Sequence, residues 1–207
     1  MAEERLGIAE IRAKLAAHQP KLEAAPAGVP GAAAVALVFL ANASGDAELL
    51  FIERALREGD PWSGHMAFPG GRVDPGDRDP RAAAERETLE EVGLSLAGAE
   101  ALGQLDDLEG RHAGRRLPLV ISAYVYHLPD AGPLATNHEV EEALWVPLAD
   151  LVDPRHQVEY PVASGGFPGI RVGEPEPHVV WGLTYRFLET FLALLGRPLP
   201  DRWRRSL

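Results

Sequence analysis

The stretch Arg86-Glu87-Thr88-Leu89-Glu90-Glu91-Val92-Gly93-Leu94 carries three carboxylates, Glu87, Glu90 and Glu91, at i, i+3 and i+4. On a helix these positions share one face, where like charges repel unless something compensates them. The helix is well marked in the sequence. Asp79 is a good N-cap, Pro80 suits the first helical position, no breaker interrupts Arg81 to Val92, and Gly93 is a natural C′ residue. A divalent cation is the obvious compensator for the three carboxylates, and oxygen ligands suit Mg²⁺ or Mn²⁺. Mg²⁺ is usually shared between a few carboxylates and substrate phosphates, so the missing partner is a phosphate compound. A bare ExxEE run is more often a solvated acidic face, and its surroundings decide between the two.

Those surroundings alternate strand and helix signals. Upstream, Ala34 to Leu40 and Glu48 to Ile52 are short apolar runs separated by Asn42-Ala43-Ser44-Gly45-Asp46, which predicts an antiparallel hairpin. A polar loop from Arg54 to Ser63 leads into His65-Met66-Ala67-Phe68-Pro69-Gly70-Gly71 and then a loop carrying Asp74 and Asp77. Downstream, Leu117 to Leu128 and Ala143 to Val146 return the chain to sheet. Trp181 to Leu195 puts Leu183, Phe187, Leu188, Phe191 and Leu195 on one broad helical face. Near the start, Ile8, Ile11 and Leu15 predict a short amphipathic helix before the Pro20 to Pro30 stretch, which reads as linker. The expected organisation is therefore helix and linker over 1–30, one α/β domain over 31–200, and a tail over 201–207.

Composition narrows the function classes. The 207 residues hold 20 Lys plus Arg against 31 Asp plus Glu, a net charge of -11, which argues against a coat on nucleic acid or on anionic membrane. With no cysteine there is no disulfide, thiolate ligand or thiol nucleophile. The N-terminal residues are acidic where a signal peptide needs basic ones, and the longest apolar run, Ala32 to Ala43, is too short to span a bilayer, so a cytoplasmic location is expected. The seven histidines show no paired spacing such as HExxH, and neither Ser63 nor Ser164 sits in a GxSxG elbow.

Taken with Gly71 and Asp77, the glutamate run resembles the Nudix box: Gly, a spacer, an acid, a second spacer, then Arg-Glu, two residues, Glu-Glu, one residue and Gly. Here Asp77 stands for the usual Glu, the second spacer is one residue longer, and Thr88 replaces an aliphatic residue. The longer spacer and Phe68-Pro69-Gly70-Gly71 with Asp74 and Asp77 are similar to the coenzyme A pyrophosphatase branch, as are later stretches, including Trp145-Val146-Pro147-Leu148 and Trp181-Gly182-Leu183-Thr184. One segment departs. That branch usually carries an Arg-Ser pair and then a Leu-Arg-x-His-x-Gly run, where this chain has Arg54-Ala55 and Gly59-Asp60-Pro61-Trp62-Ser63-Gly64.

The resemblance implies a Nudix fold, a mixed β-sheet sandwiched between α-helices with the box as loop-helix-loop. It implies Mg²⁺ or Mn²⁺ held by Glu87, Glu90, Glu91 and the Gly71 carbonyl, with Arg86 orienting the carboxylates. Glu90 and Glu139 are the candidate general bases, and Arg54, Arg57, Trp62, Arg115 and Arg116 the candidate substrate contacts. The last two lie, with Arg111 and His112, in a basic cluster expected to be a loop. The expected partner is a small nucleoside diphosphate derivative, with no nucleic acid, no membrane and room for a homodimer. Coenzyme A, split to 3′,5′-ADP and 4′-phosphopantetheine, is the first substrate expected. ADP-ribose, dinucleotides or dinucleoside polyphosphates form the second reading, and a nucleotide-binding module without hydrolysis the third.

Overall fold

In chain order the elements are α1 (Ile8–Ala17), β1 (Ala32–Ala41), β2 (Ala47–Arg54), β3 (Met66–Ala67), β4 (Gly70–Arg72), α2 (Pro80–Val92), β5 (Glu100–Gln104), β6 (Leu108–His112), β7 (Arg115–His127), β8 (Val140–Pro147), α3 (Leu148–Val152), β9 (Gln157–Val162), β10 (Gly165–Val172), β11 (His178–Trp181) and α4 (Gly182–Leu194). This computed structural model describes residues 6–23, 31–59, 62–112, 115–162, 165–173 and 178–200, with only the backbone at 111, 112, 115 and 116.

The hairpin forms as its turn chemistry dictates, the Asn42 carboxamide oxygen accepting from the N–H groups of Ser44 and Asp46, both at 3.0 Å. β1 is apolar along its length because it is central, pairing antiparallel with β2 and parallel with β7. The main sheet runs β3-β2-β1-β7-β5, with β4 on β1, β6 on β7 and β8 on β2. Its two faces bury different layers. Ala34, Ala36, Val38, Leu50, Ile52 and Tyr126 face Ala83, Ala84 and Val92 of α2. Leu37, Phe39 and Phe51 face α1 and α4, where Ile11, Leu15, Phe187 and Phe191 complete the larger core. Thus α1 packs into the same core as the rest of the chain, and Phe68 is buried against Phe51 with ring centroids 5.1 Å apart.

Two expectations need correction. The basic segment from Arg111 to Arg116 is not all loop: Arg111 pairs with Arg116 and His112 with Arg115 as the arms of a β6–β7 hairpin. The strands β9, β10 and β11, for which no sheet was expected, form a second antiparallel sheet in the order β11-β10-β9. Its middle strand reads Gly-Gly-Phe-Pro-Gly-Ile-Arg-Val, and glycine and proline mask a strand signal that neighbouring strands supply by pairing. Among the described residues no helix is long and apolar enough to cross a membrane.

Gly70 shows why the site needs glycine. Its φ is +152°, and a Cβ there would overlap the Ala34 carbonyl oxygen and lie 2.6 Å from Val35 Cα, both backbone atoms of the central strand. Gly70→Ala is expected to cost about 3 kcal/mol or more in denaturant unfolding. A midpoint equal to that of the unsubstituted chain would refute the close approach.

Candidate active site

The box helix begins and ends as its sequence demands. Asp79 Oδ1 accepts from Ala82 N at 2.8 Å, and Gly93 takes a left-handed conformation with φ 70° while its N–H donates to Leu89 O. Arg86 is the hub of the polar cluster. Its Nε and Nη2 donate to the two oxygens of Asp77, each at 3.1 Å, and Nη2 also reaches Arg72 O at 3.2 Å. Nη1 donates to Glu87 Oε1 and Glu90 Oε2, both at 3.0 Å. The fork on Asp77 pins the loop between β4 and α2, and holds the Asp77 carboxyl below its ordinary range with help from the Asp74 N–H. Asp for Glu at this position therefore still serves as the anchor of the arginine.

The three glutamates do not share one solvated face. Glu90 is the exposed member, its side chain 53% accessible. Glu87 is half-buried, and burial raises its pKa against the pull of Arg86. Glu91 is buried at 1% exposure, its Oε2 accepting from Gly70 N at 2.8 Å. Burial pushes Glu91 up to about 8, with Glu87 and Glu139 adding to the rise while the Gly70 N–H and Arg54 oppose it.

Glu139 reaches this cluster from the loop before β8. That loop is fastened to the end of α2 by Ala135 N to Val92 O at 2.9 Å and Asn137 N to Glu91 O at 3.0 Å. Asn137 Oδ1 accepts from Glu139 N at 2.7 Å, and the Glu139 charge raises the pKa of both Glu87 and Glu91. Arg57 pairs with Glu139 at 2.9 Å, and Arg54 lies close enough to lower the Glu91 pKa. Four carboxylates and two of the sequence-selected arginines thus meet around Gly70 and Gly71. Trp62 lies at the edge of the preceding loop, its carbonyl accepting from His65 N at 3.1 Å. The side chains of Arg115 and Arg116 lie outside the described residues, and their backbone belongs to the β6–β7 hairpin.

Sequence spacing gave no sign of two further groups. His178 sits between Glu142, at 3.0 Å, and Glu53, at 3.7 Å. The three ligand atoms lie within 4.8 Å of one another, on strands far apart in sequence. Trp181 stacks on Tyr160 with centroids 4.4 Å apart and meets His65 edge-on at 4.6 Å. Only strand pairing brings these residues together; their composition was the sole available signal.

The box carboxylates fit a divalent cation. Glu91 keeps a carboxylate in a buried position where ionisation is costly, a cost that a cation or a proton offsets. A Cβ on Gly71 would overlap the Glu87 carboxylate, so glycine keeps this oxygen-rich cradle open. Hard oxygen donors of this kind suit Mg²⁺-like ions rather than soft metals.

A NUDIX domain model matches residues 31–164. Mitochondrial coenzyme A diphosphatase NUDT8 of Homo sapiens is 32% identical over 195 residues, covering 92% of this chain and 78% of that protein. An uncharacterized protein of Schizosaccharomyces pombe is 40% identical over 120 residues, 56% of this chain and 36% of its own length, so the present chain spans about a third of that relative. Among solved structures, a MutT/nudix family protein from Enterococcus faecalis superposes with a TM-score of 0.55 at 17% identity, covering 84% of this chain and 65% of that one, a likeness of fold. With the Arg86-centred box, the family match over most of the sheet and the mixed sheet between helices, the chain belongs to the Nudix family.

Proposed function

We propose that the protein hydrolyses coenzyme A to 3′,5′-ADP and 4′-phosphopantetheine with Mg²⁺ or Mn²⁺. The observation that carries this reading is the convergence of Glu87, Glu90, Glu91 and Glu139 on the Gly70-Gly71 turn. The choice of coenzyme A is supported by likeness, over most of the chain, to a relative named as a coenzyme A diphosphatase.

In this reading Glu87, Glu90, Glu91 and the Gly71 carbonyl hold the metal. When bound, it supplies positive charge against the diphosphate and makes water more acidic. Arg86 orients Glu87 and Glu90 through Nη1, and its bonds to Asp77 keep the guanidinium from swinging away. Glu139 stands outside the helix and takes the proton of the attacking water, as general base; Arg57 holds it in place. The water oxygen bonds to one phosphorus, the bridging P–O bond breaks, and the two halves leave as phosphate monoesters. Arg54, Arg57 and Trp62 flank the substrate.

Two measurements test this. Glu139→Gln should lower kcat by about a hundredfold or more with little change in KM, because the loss falls on proton transfer. An unchanged kcat moves the base to Glu90. Incubating the protein and Mg²⁺ or Mn²⁺ with coenzyme A, ADP-ribose, NADH and diadenosine polyphosphates, followed by mass spectrometry, should release 3′,5′-ADP first. Faster cleavage of another member moves the substrate and keeps the chemistry.

A further inference from the structure

We propose that Asn137 is a positioning residue for the reaction, setting Glu139 against the box by joining the backbone of Glu139 to the C-terminal end of α2. The inference rests on the reading above, in which Glu139 is the general base.

A base carried on a loop has to be placed by that loop, and a misplacement of about 1 Å costs on the order of a hundredfold in rate. Residues 128–139, between β7 and β8, contain no helix or strand. Near their end Asn137 bonds in both directions. Its N–H donates to Glu91 O at 3.0 Å, its side-chain Oδ1 accepts from Glu139 N at 2.7 Å, and its carbonyl accepts from Val140 N at 3.3 Å. A side-chain oxygen closing on the backbone two residues on is the turn that favours asparagine. Asn137 is half-buried, while Thr136 and His138 on either side are exposed. One residue thus spans from the backbone of the buried box glutamate to the backbone of the base.

The ion pair of the carboxylate does not place it. Arg57 Nη1 lies 2.9 Å from Glu139 Oε1, but the two side chains are 42% and 35% accessible, and a pair so open to water is weak. It turns one oxygen at the end of a flexible chain. The backbone that carries this chain is fixed on both sides of the α-carbon, by Asn137 Oδ1 on the Glu139 N–H and by Ala55 N, which donates to Glu139 O at 2.8 Å. The Ala55 bond is main chain to main chain, whereas the Asn137 acceptor is a side chain that one substitution removes. Its neutrality matters as well. An aspartate would accept the same bond but add another negative charge beside Glu87, Glu90, Glu91 and Glu139.

The test is a double-mutant cycle. With Mg²⁺, and with whichever of coenzyme A, ADP-ribose, NADH and diadenosine polyphosphates is cleaved fastest, kcat and KM are measured for the unsubstituted chain, Asn137→Ala, Glu139→Gln and the double variant. Asn137→Ala should lower kcat about tenfold or more with KM within about twofold, and should cost nothing further where residue 139 is already glutamine. Asn137→Ser, which keeps a neutral acceptor in the turn, should hold kcat to within about threefold of the unsubstituted chain. Mn²⁺ affinity, read by electron paramagnetic resonance, should be unchanged in Asn137→Ala, because alanine retains the N–H that bonds Glu91 O. If denaturant unfolding shows that Asn137→Ala does not fold, Asn137→Gln, whose longer side chain does not fit the same turn, takes its place in the cycle. An unchanged kcat, an equal loss in both backgrounds, a serine variant as slow as the alanine one, or Mn²⁺ affinity that falls in step with kcat each overturns the positioning role. A Glu139→Gln variant with unchanged kcat overturns the general-base reading and the positioning role together, whereas loss in Glu139→Gln without loss in Asn137→Ala overturns the positioning role alone.

Discussion

Glu90→Gln is expected to reduce kcat/KM by about a thousandfold or more while leaving the unfolding midpoint almost unchanged. Glu90 is the exposed member of the box, and its one described partner is the Nη1 of Arg86 at 3.0 Å, a surface ion pair of the kind worth under about 1 kcal/mol. Folding therefore loses little. The reaction loses a charged oxygen ligand, and a neutral amide holds a divalent cation less well. Kinetics and denaturant unfolding on the same preparation check both halves. Activity within threefold of the unsubstituted chain would remove Glu90 from the metal set, whereas activity lost together with the fold would mean that the glutamate is structural.

Glu91→Gln should separate stability from function in the opposite sense. Burial raises the folded-state pKa of Glu91 to about 8 from an ordinary 4.5, so folding takes up a proton between those values. In metal-free protein this contribution is fully present below pH 4.5 and is lost as pH rises to about 8. The glutamine keeps an acceptor for Gly70 N and carries no charge to desolvate. At pH 8 the metal-free variant should therefore be more stable than the unsubstituted chain by about 2 to 4 kcal/mol, with the difference vanishing near pH 5. Turnover should fall at least a hundredfold, because the buried oxygen that would hold the metal has lost its charge. Thermal unfolding in chelator at several pH values checks the stability. A variant destabilised at every pH would show that the carboxylate is satisfied as an ion by the protein itself.

Local chemistry made the box helix legible. Asp79, Pro80 and Gly93 each act within a turn of their own position, and the helix runs from Pro80 to Val92 as the capping residues dictate. The Asn42 hairpin and α4 were readable for the same reason. The spacing of Glu87, Glu90 and Glu91 gave their common neighbourhood but not their different depths. Depth is set by the close approach of Gly70 and β1, a contact between residues far apart in sequence. Glu139, which sequence alone placed beside Glu141 and Glu142 in a polar run, reaches the site because Ala135 and Asn137 cap the end of α2. The second sheet was hidden by its glycines and prolines, and with it the Trp181 group and the His178 bridge, neither of which has a local signature.

The existence of the bridge makes one measurement decisive. Titration of Mn²⁺ followed by electron paramagnetic resonance compares the unsubstituted chain, a Glu87→Gln, Glu90→Gln, Glu91→Gln triple variant, and a Glu53→Gln, Glu142→Gln, His178→Gln triple variant. If the box holds the metal, binding collapses in the first variant and persists in the second. Binding that survives loss of the three box glutamates, or that disappears with Glu53, Glu142 and His178 instead, would contradict the account.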